Sequence, residues 1–125
     1  MVLTNERGFT LTEVLLVAVI ILVLAVIAIP QLVDMRARSL DSKVASAVRN
    51  VATGEESYYA SRQRYTGALG DLDGIVSSSV VITVESGNSG DLGSSFRVRG
   101  TAAGAAHTFV WVSDPAPGEP HLVAD

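Results

Sequence analysis

The chain contains no cysteine, so no disulfide can staple it and no thiol chemistry is available. It has two histidines, His107 and His121. Without cysteine to join them, a metal site is not expected. Aromatic residues make up 6 % of the sequence, too few to trace a path of closely spaced rings. No G-x-S-x-G stretch occurs, and the many serines fall in turns or on strand edges, so neither a nucleophile elbow nor a triad can be placed. The pair Asp71 and Asp73 is too short a run for a calcium loop. Asp91 and Asp114 are available carboxylates, but no dense run of oxygen ligands accompanies them. Basic residues are also scarce, nine against thirteen acidic ones, for a net charge of -4. No basic stripe marks nucleic acid as the main partner. Arg62, Arg64, Arg97 and Arg99 could make a modest positive patch that admits DNA. A solvated surface with local salt bridges explains them as well. No enzyme activity and no cofactor are expected.

What is abundant is apolar sequence, and it is unevenly placed. From Val14 to Ile29 there is no charged residue. Extended back to Phe9, the run contains Glu13 and makes roughly 30 Å of helix, about one hydrocarbon thickness. A secretory signal peptide fits poorly, because Pro30 and "QLVDMRAR" follow where a small-residue cleavage site is needed. A retained membrane helix fits better. Arg7 on one side and Arg36, Arg38 and Lys43 on the other leave its orientation open by charge alone.

Beyond Pro30, Leu40, Val44, Val48, Val51 and Tyr58 recur at spacings of three, four or their sum, one face of a helix. Asp34, Arg38, Asp41, Lys43, Arg49 and Glu55 read as mostly off that stripe. Helix is expected to about Arg62. Pro30 lacks an amide hydrogen and crowds the carbonyl four residues back, which predicts a bend near Val26 to Pro30. "RYTGALGDLDG", residues 64–74, reads as a loop whose Leu69, Leu72 and Tyr65 tuck against the helix. Strands are expected at Val80 to Glu85, at "FRVRGT" and at residues 107–112. In the second, Phe96 and Val98 face one way and Arg97 and Arg99 the other. The tail "SDPAPGEPHLVAD" reads as irregular. The fold class is α+β: a long N-terminal helix packed on a small antiparallel sheet of three to four strands.

Glu13 needs a reason to be near lipid. It could lie at the interface in the first helical turn, where an acid suits the helix N-terminus. It could instead meet a cation, which the membrane segment itself does not supply. A cut between Gly8 and Phe9 would create one, the α-amino group of Phe9.

The run Gly8, Phe9, Thr10, Leu11 and Glu13, then a long apolar helix and "AIP" ending at Pro30, resembles the N-terminus of type IV prepilins and type II secretion pseudopilins. The resemblance covers Phe9 to Tyr65, nearly half the chain. It implies a cytoplasmic leader at 1–8, a transmembrane and filament-core helix at 9–30, an amphipathic continuation at 31–63 and a small β domain at 64–125. It also implies cleavage after Gly8 by a prepilin peptidase that methylates Phe9. Glu13 would then neutralise a neighbour's new N-terminus on entry into a filament. Implied partners are the lipid bilayer before assembly, the inner-membrane assembly platform and further copies of the chain in a helical filament. Implied locations are the bacterial inner membrane, then an extracellular pilus serving adhesion, motility or DNA uptake. A pseudopilin or minor pilin of a short periplasmic filament is the alternative. Three departures stand out: Thr12 where Ile is commoner, Leu22 where many members have glycine, and no cysteine pair to close the C-terminal loop. The tail also lacks the motifs that surround the calcium site of the major secretion pseudopilin.

Overall fold

The computed structural model describes residues 8–72 and 79–125. The expected leader lies outside this range except for Gly8, as do Arg7 and the Asp73–Gly74 end of the expected loop.

One helix, α1, runs Leu11–Arg62 and passes Pro30 without interruption. Four strands follow: β1 (Val81–Ser86), β2 (Phe96–Thr101), β3 (Phe109–Val112) and β4 (Leu122–Ala124). They form one antiparallel sheet in the order β1-β2-β3-β4. The chain is α+β, with its helix first and its strands after. It divides into two compact units, Met1–Met35 and Arg36–Asp125, and α1 contributes to both.

In the first unit no described side chain is buried. Its described leucines, isoleucines and valines are all exposed. One helix cannot bury its whole circumference against itself, so an apolar surface on every side calls for lipid or other chains around it.

The second unit has an ordinary core. The α1 stripe puts Val44, Val48, Val51 and Ala52 against Phe96 and Val98 of β2, with Leu72 and Ala102 closing the cluster. Strand alternation works as the sequence predicts: Phe96, Val98 and Gly100 are buried, while Arg97 and Arg99 point away. Gly100 lies directly under the helix, where an added Cβ would overlap Val48 and come within 3.1 Å of Val44. Leu69, Tyr65 and Tyr58 pack on the cluster.

Three expectations need correction. Glu55 is not off the helical stripe; it is one of the five buried residues of α1. The position falls seven residues after Val48, on the same face, and the local pattern wins over the residue's polarity. The tail is not wholly irregular either. Beyond Pro120, Leu122 to Ala124 pair with β3, Leu122 opposite Trp111 and Val123 opposite Val110. The third strand is also shorter than expected, since His107 and Thr108 precede it.

Candidate functional site

Gly8 and Phe9 precede the helix and are exposed, Phe9 at 83 %. Among the described residues nothing lies within 4 Å of a Cβ built on Gly8. Thr10 is the residue before the helix, and Glu13 is third within it. The Glu13 Oε2 atom accepts the Thr10 backbone N–H at 2.9 Å and the Thr10 hydroxyl at 2.9 Å. In return the Glu13 N–H donates to Thr10 Oγ1 at 3.2 Å. This is a reciprocal capping box, which satisfies backbone donors that a helix start otherwise leaves open. It gives Glu13 a local role that needs no cation. The T-x-x-E spacing was present in the sequence and is the signal that finds Thr10.

The structure thus brings Thr10 to Glu13, and Phe9 sits one residue before this cap. Among the described residues Glu13 makes no ion pair. Pro30 lies far along the same helix, between exposed Ile29 and Gln31.

Polar groups of the second unit are mostly engaged in holding loops. Asp41 on α1 accepts the backbone N–H groups of Ala106 and His107 at 2.8 and 3.1 Å. Its Oδ2 lies 2.7 Å from His107 Nδ1. The His107 bond, followed by the backbone bonds, draws the Asp41 carboxyl below its ordinary value against the pull of desolvation. His107 is therefore tied to the helix through its Nδ1. His121 stacks on Trp111, and its Nδ1 is 2.8 Å from the Val112 carbonyl.

Asp91 and Asp114, the two carboxylates left available by the sequence, each bind loop donors. Asp91 accepts the Gly93 N–H and the Ser94 hydroxyl. Asp114 accepts the Asn88 and Ser89 N–H groups at 3.0 and 2.9 Å. Among the described residues no three or more His, Cys, Asp or Glu side chains gather as metal ligands would. Three of the four arginines have separate partners. Arg62 lies over the Tyr58 ring, Arg97 donates to Asn88, and Arg99 reaches Asp125 at 4.0 Å.

Residues 3–29 match the family described as the prokaryotic N-terminal methylation motif. The chain is 38 % identical over 62 residues to the type IV major pilin protein PilA of Myxococcus xanthus, covering 50 % of this chain and 28 % of that protein. It is 37 % identical over 62 residues to the type IV wide pilus major component PilA4 of Thermus thermophilus, covering 50 % of this chain and 47 % of that one. The chain therefore spans less than half the length of either relative. These matches, with the apolar α1 and the small sheet behind it, support a type IV pilin.

Proposed function

We propose that this chain, which carries the methylation motif of type IV pilins at its N-terminus, is a structural subunit of a type IV pilus. The observation that carries the reading is the first unit: a helix apolar on every side, headed by one acid. A bilayer covers such a helix in the precursor. Neighbouring copies of the same helix cover it in a filament. The prepilin peptidase hydrolyses the Gly8–Phe9 bond, leaving a free amine on Phe9 that is then methylated. The assembly platform in the inner membrane moves the processed chain from lipid to filament. The same helices then form the core, and the sheet-bearing units lie outside. The filament serves adhesion, motility or DNA uptake.

Glu13 suits both environments. In the precursor its cap on Thr10 lowers the cost of a carboxylate near lipid. In the filament its other oxygen, Oε1, meets the Phe9 amine of an adjacent copy. Pro30 removes one helical hydrogen bond and gives a bend near Val26 to Pro30, which adjusts how the helices pack. Oriented-sample spectroscopy of the membrane segment tests this, and an unbent axis through Pro30 contradicts it.

Mass spectrometry and microscopy of filaments sheared from cells test the function. This chain as the dominant component supports a pilus subunit. Retention of all copies in the cell envelope, with no surface filament, contradicts it and returns the pseudopilin or minor-pilin assignment.

A further inference from the structure

The face of α1 that packs on the sheet is made of Val44, Val48, Val51 and Ala52, and then of Glu55. Glu55 is 0 % exposed. Its Oε2 accepts the backbone N–H of Thr66 at 2.8 Å. Its Oε1 is buried and has no hydrogen-bond partner among the described residues. The side chain thus reaches from the helix to the connector that follows it, and half of its bonding capacity is unused there.

The surroundings have the wrong sign for a carboxylate. Glu56 on the same helix and Asp71 on the connector both repel a negative charge at Glu55. Tyr65, also on the connector, donates its hydroxyl to Glu56, and burial first of all pushes its phenol up to about 12. Arg62, seven residues further along the helix, is engaged over Tyr58. The ion pairs among the described residues are Arg99–Asp125 and His107–Asp41, so neither Arg62 nor Arg64 pairs with Glu55. Asp73 lies outside the described residues.

A buried charge without a counter-charge costs far more than a buried neutral acid with one unused group. Desolvation is accordingly the largest influence on Glu55 and raises its carboxyl above 4.5, with the Thr66 bond opposing in part. We propose that Glu55 is a proton-operated latch, which seats the connector 63–72 on α1 as the neutral acid and loosens it on ionising. The sign follows from linkage. The folded form holds the proton more tightly than the unfolded chain. The stabilisation is therefore complete below the ordinary carboxyl value and is lost as pH rises through the folded one. Nothing in this latch depends on the first unit or on filament formation.

The test is nuclear magnetic resonance on the isotope-labelled full chain in detergent micelles, titrated from acid to neutral and beyond. The Glu55 carboxyl carbon and the Thr66 amide proton should titrate together, with one midpoint above 4.5. Exchange of the Thr66 amide, corrected for its intrinsic rate, should rise about tenfold across that midpoint. Glu55→Gln should abolish the Thr66 response. Asp71→Asn should leave it, which matters because the Thr66 hydroxyl donates to Asp71 at 3.0 Å. A Glu55 carbon that titrates at or below 4.5 overturns the latch. So does a Thr66 response that survives Glu55→Gln or disappears in Asp71→Asn. Should Glu55→Gln not fold, the carbon titration of the unmodified chain decides alone.

Discussion

Asp114, just past β3, accepts the backbone N–H of Ser89 at 2.9 Å, joining two segments that lie 25 residues apart. The same carboxylate takes the Asn88 N–H, and the Asn88 side-chain amide donates to the Asp114 carbonyl at 2.8 Å. Ser95 is buried beside them, its hydroxyl accepting the Ser89 N–H. The loop between β1 and β2 is therefore held from a distance at Asp114, through its carboxylate and its carbonyl, in a chain with no cysteine to do it covalently.

Asp114→Ala should free this loop. Amide exchange at Asn88 and Ser89 should quicken about tenfold, the order of one lost charge-assisted bond each, while the β2–β3 ladder stays protected. The Asn88 bond, first among several, draws the Asp114 carboxyl below its ordinary 3.8. Its contribution is therefore full above that value and lost only as pH falls through the lower folded one. Loop protection in the unmodified chain that disappears already near pH 6 would contradict this assignment.

Gly100 is predicted to accept no side chain. A methyl there meets Val48 and Val44 on a face where both are fully buried, so helix and sheet must separate. Gly100→Ala should cost about 1–3 kcal/mol, as overpacking usually does. Urea unfolding of the second unit, followed by Trp111 fluorescence in the full chain, should show a lower midpoint with the slope unchanged. An unchanged midpoint contradicts the close approach.

Much of this is legible in the sequence, and what is not legible shares a cause. The α1 stripe from Val44 to Val51 follows from its spacing, and the β2 faces follow from alternation in "FRVRGT". Both are local repeats imposed by backbone geometry. The burial of Glu55 is not legible, because an acid in a periodic pattern is ordinarily a solvated residue and only the packed sheet reveals that it is covered. The strand Leu122–Ala124 is three residues long behind three prolines, and its pairing with β3 is not written locally. Asp41 with His107 and Asp114 with Ser89 are likewise long-range. They mostly use backbone N–H groups, which every non-proline residue has, so no residue type signals them. Thr10 with Glu13 is the converse, a local pattern that was legible and carries the head of the helix.

In the proposed function Gly8 has its role in processing. Among the described residues a Cβ built there meets nothing within 4 Å, so a larger residue at this position does not disturb them. Gly8→Val should therefore give a stable, membrane-inserted chain that the peptidase does not cut, accumulating at full length. Mature protein from the unmodified chain should begin at a methylated Phe9. Mature protein beginning at Met1, or after Ala28, contradicts the proposed cleavage.

Glu13→Gln tests the central claim most directly. Gln keeps the size and the hydrogen-bonding reach needed at the third helical position, so the Thr10 cap persists in weaker form. It removes the charge that the Phe9 amine of a neighbouring copy is proposed to meet, in surroundings where an unpaired charge is costly. Filament yield should be measured together with cleavage and membrane level in the same cells. The account predicts normal insertion and cleavage after Gly8, with surface filaments reduced at least tenfold, the order of one lost low-dielectric ion pair. Filaments at the unmodified yield from the Gln variant would contradict it and leave Glu13 as the cap of its own helix.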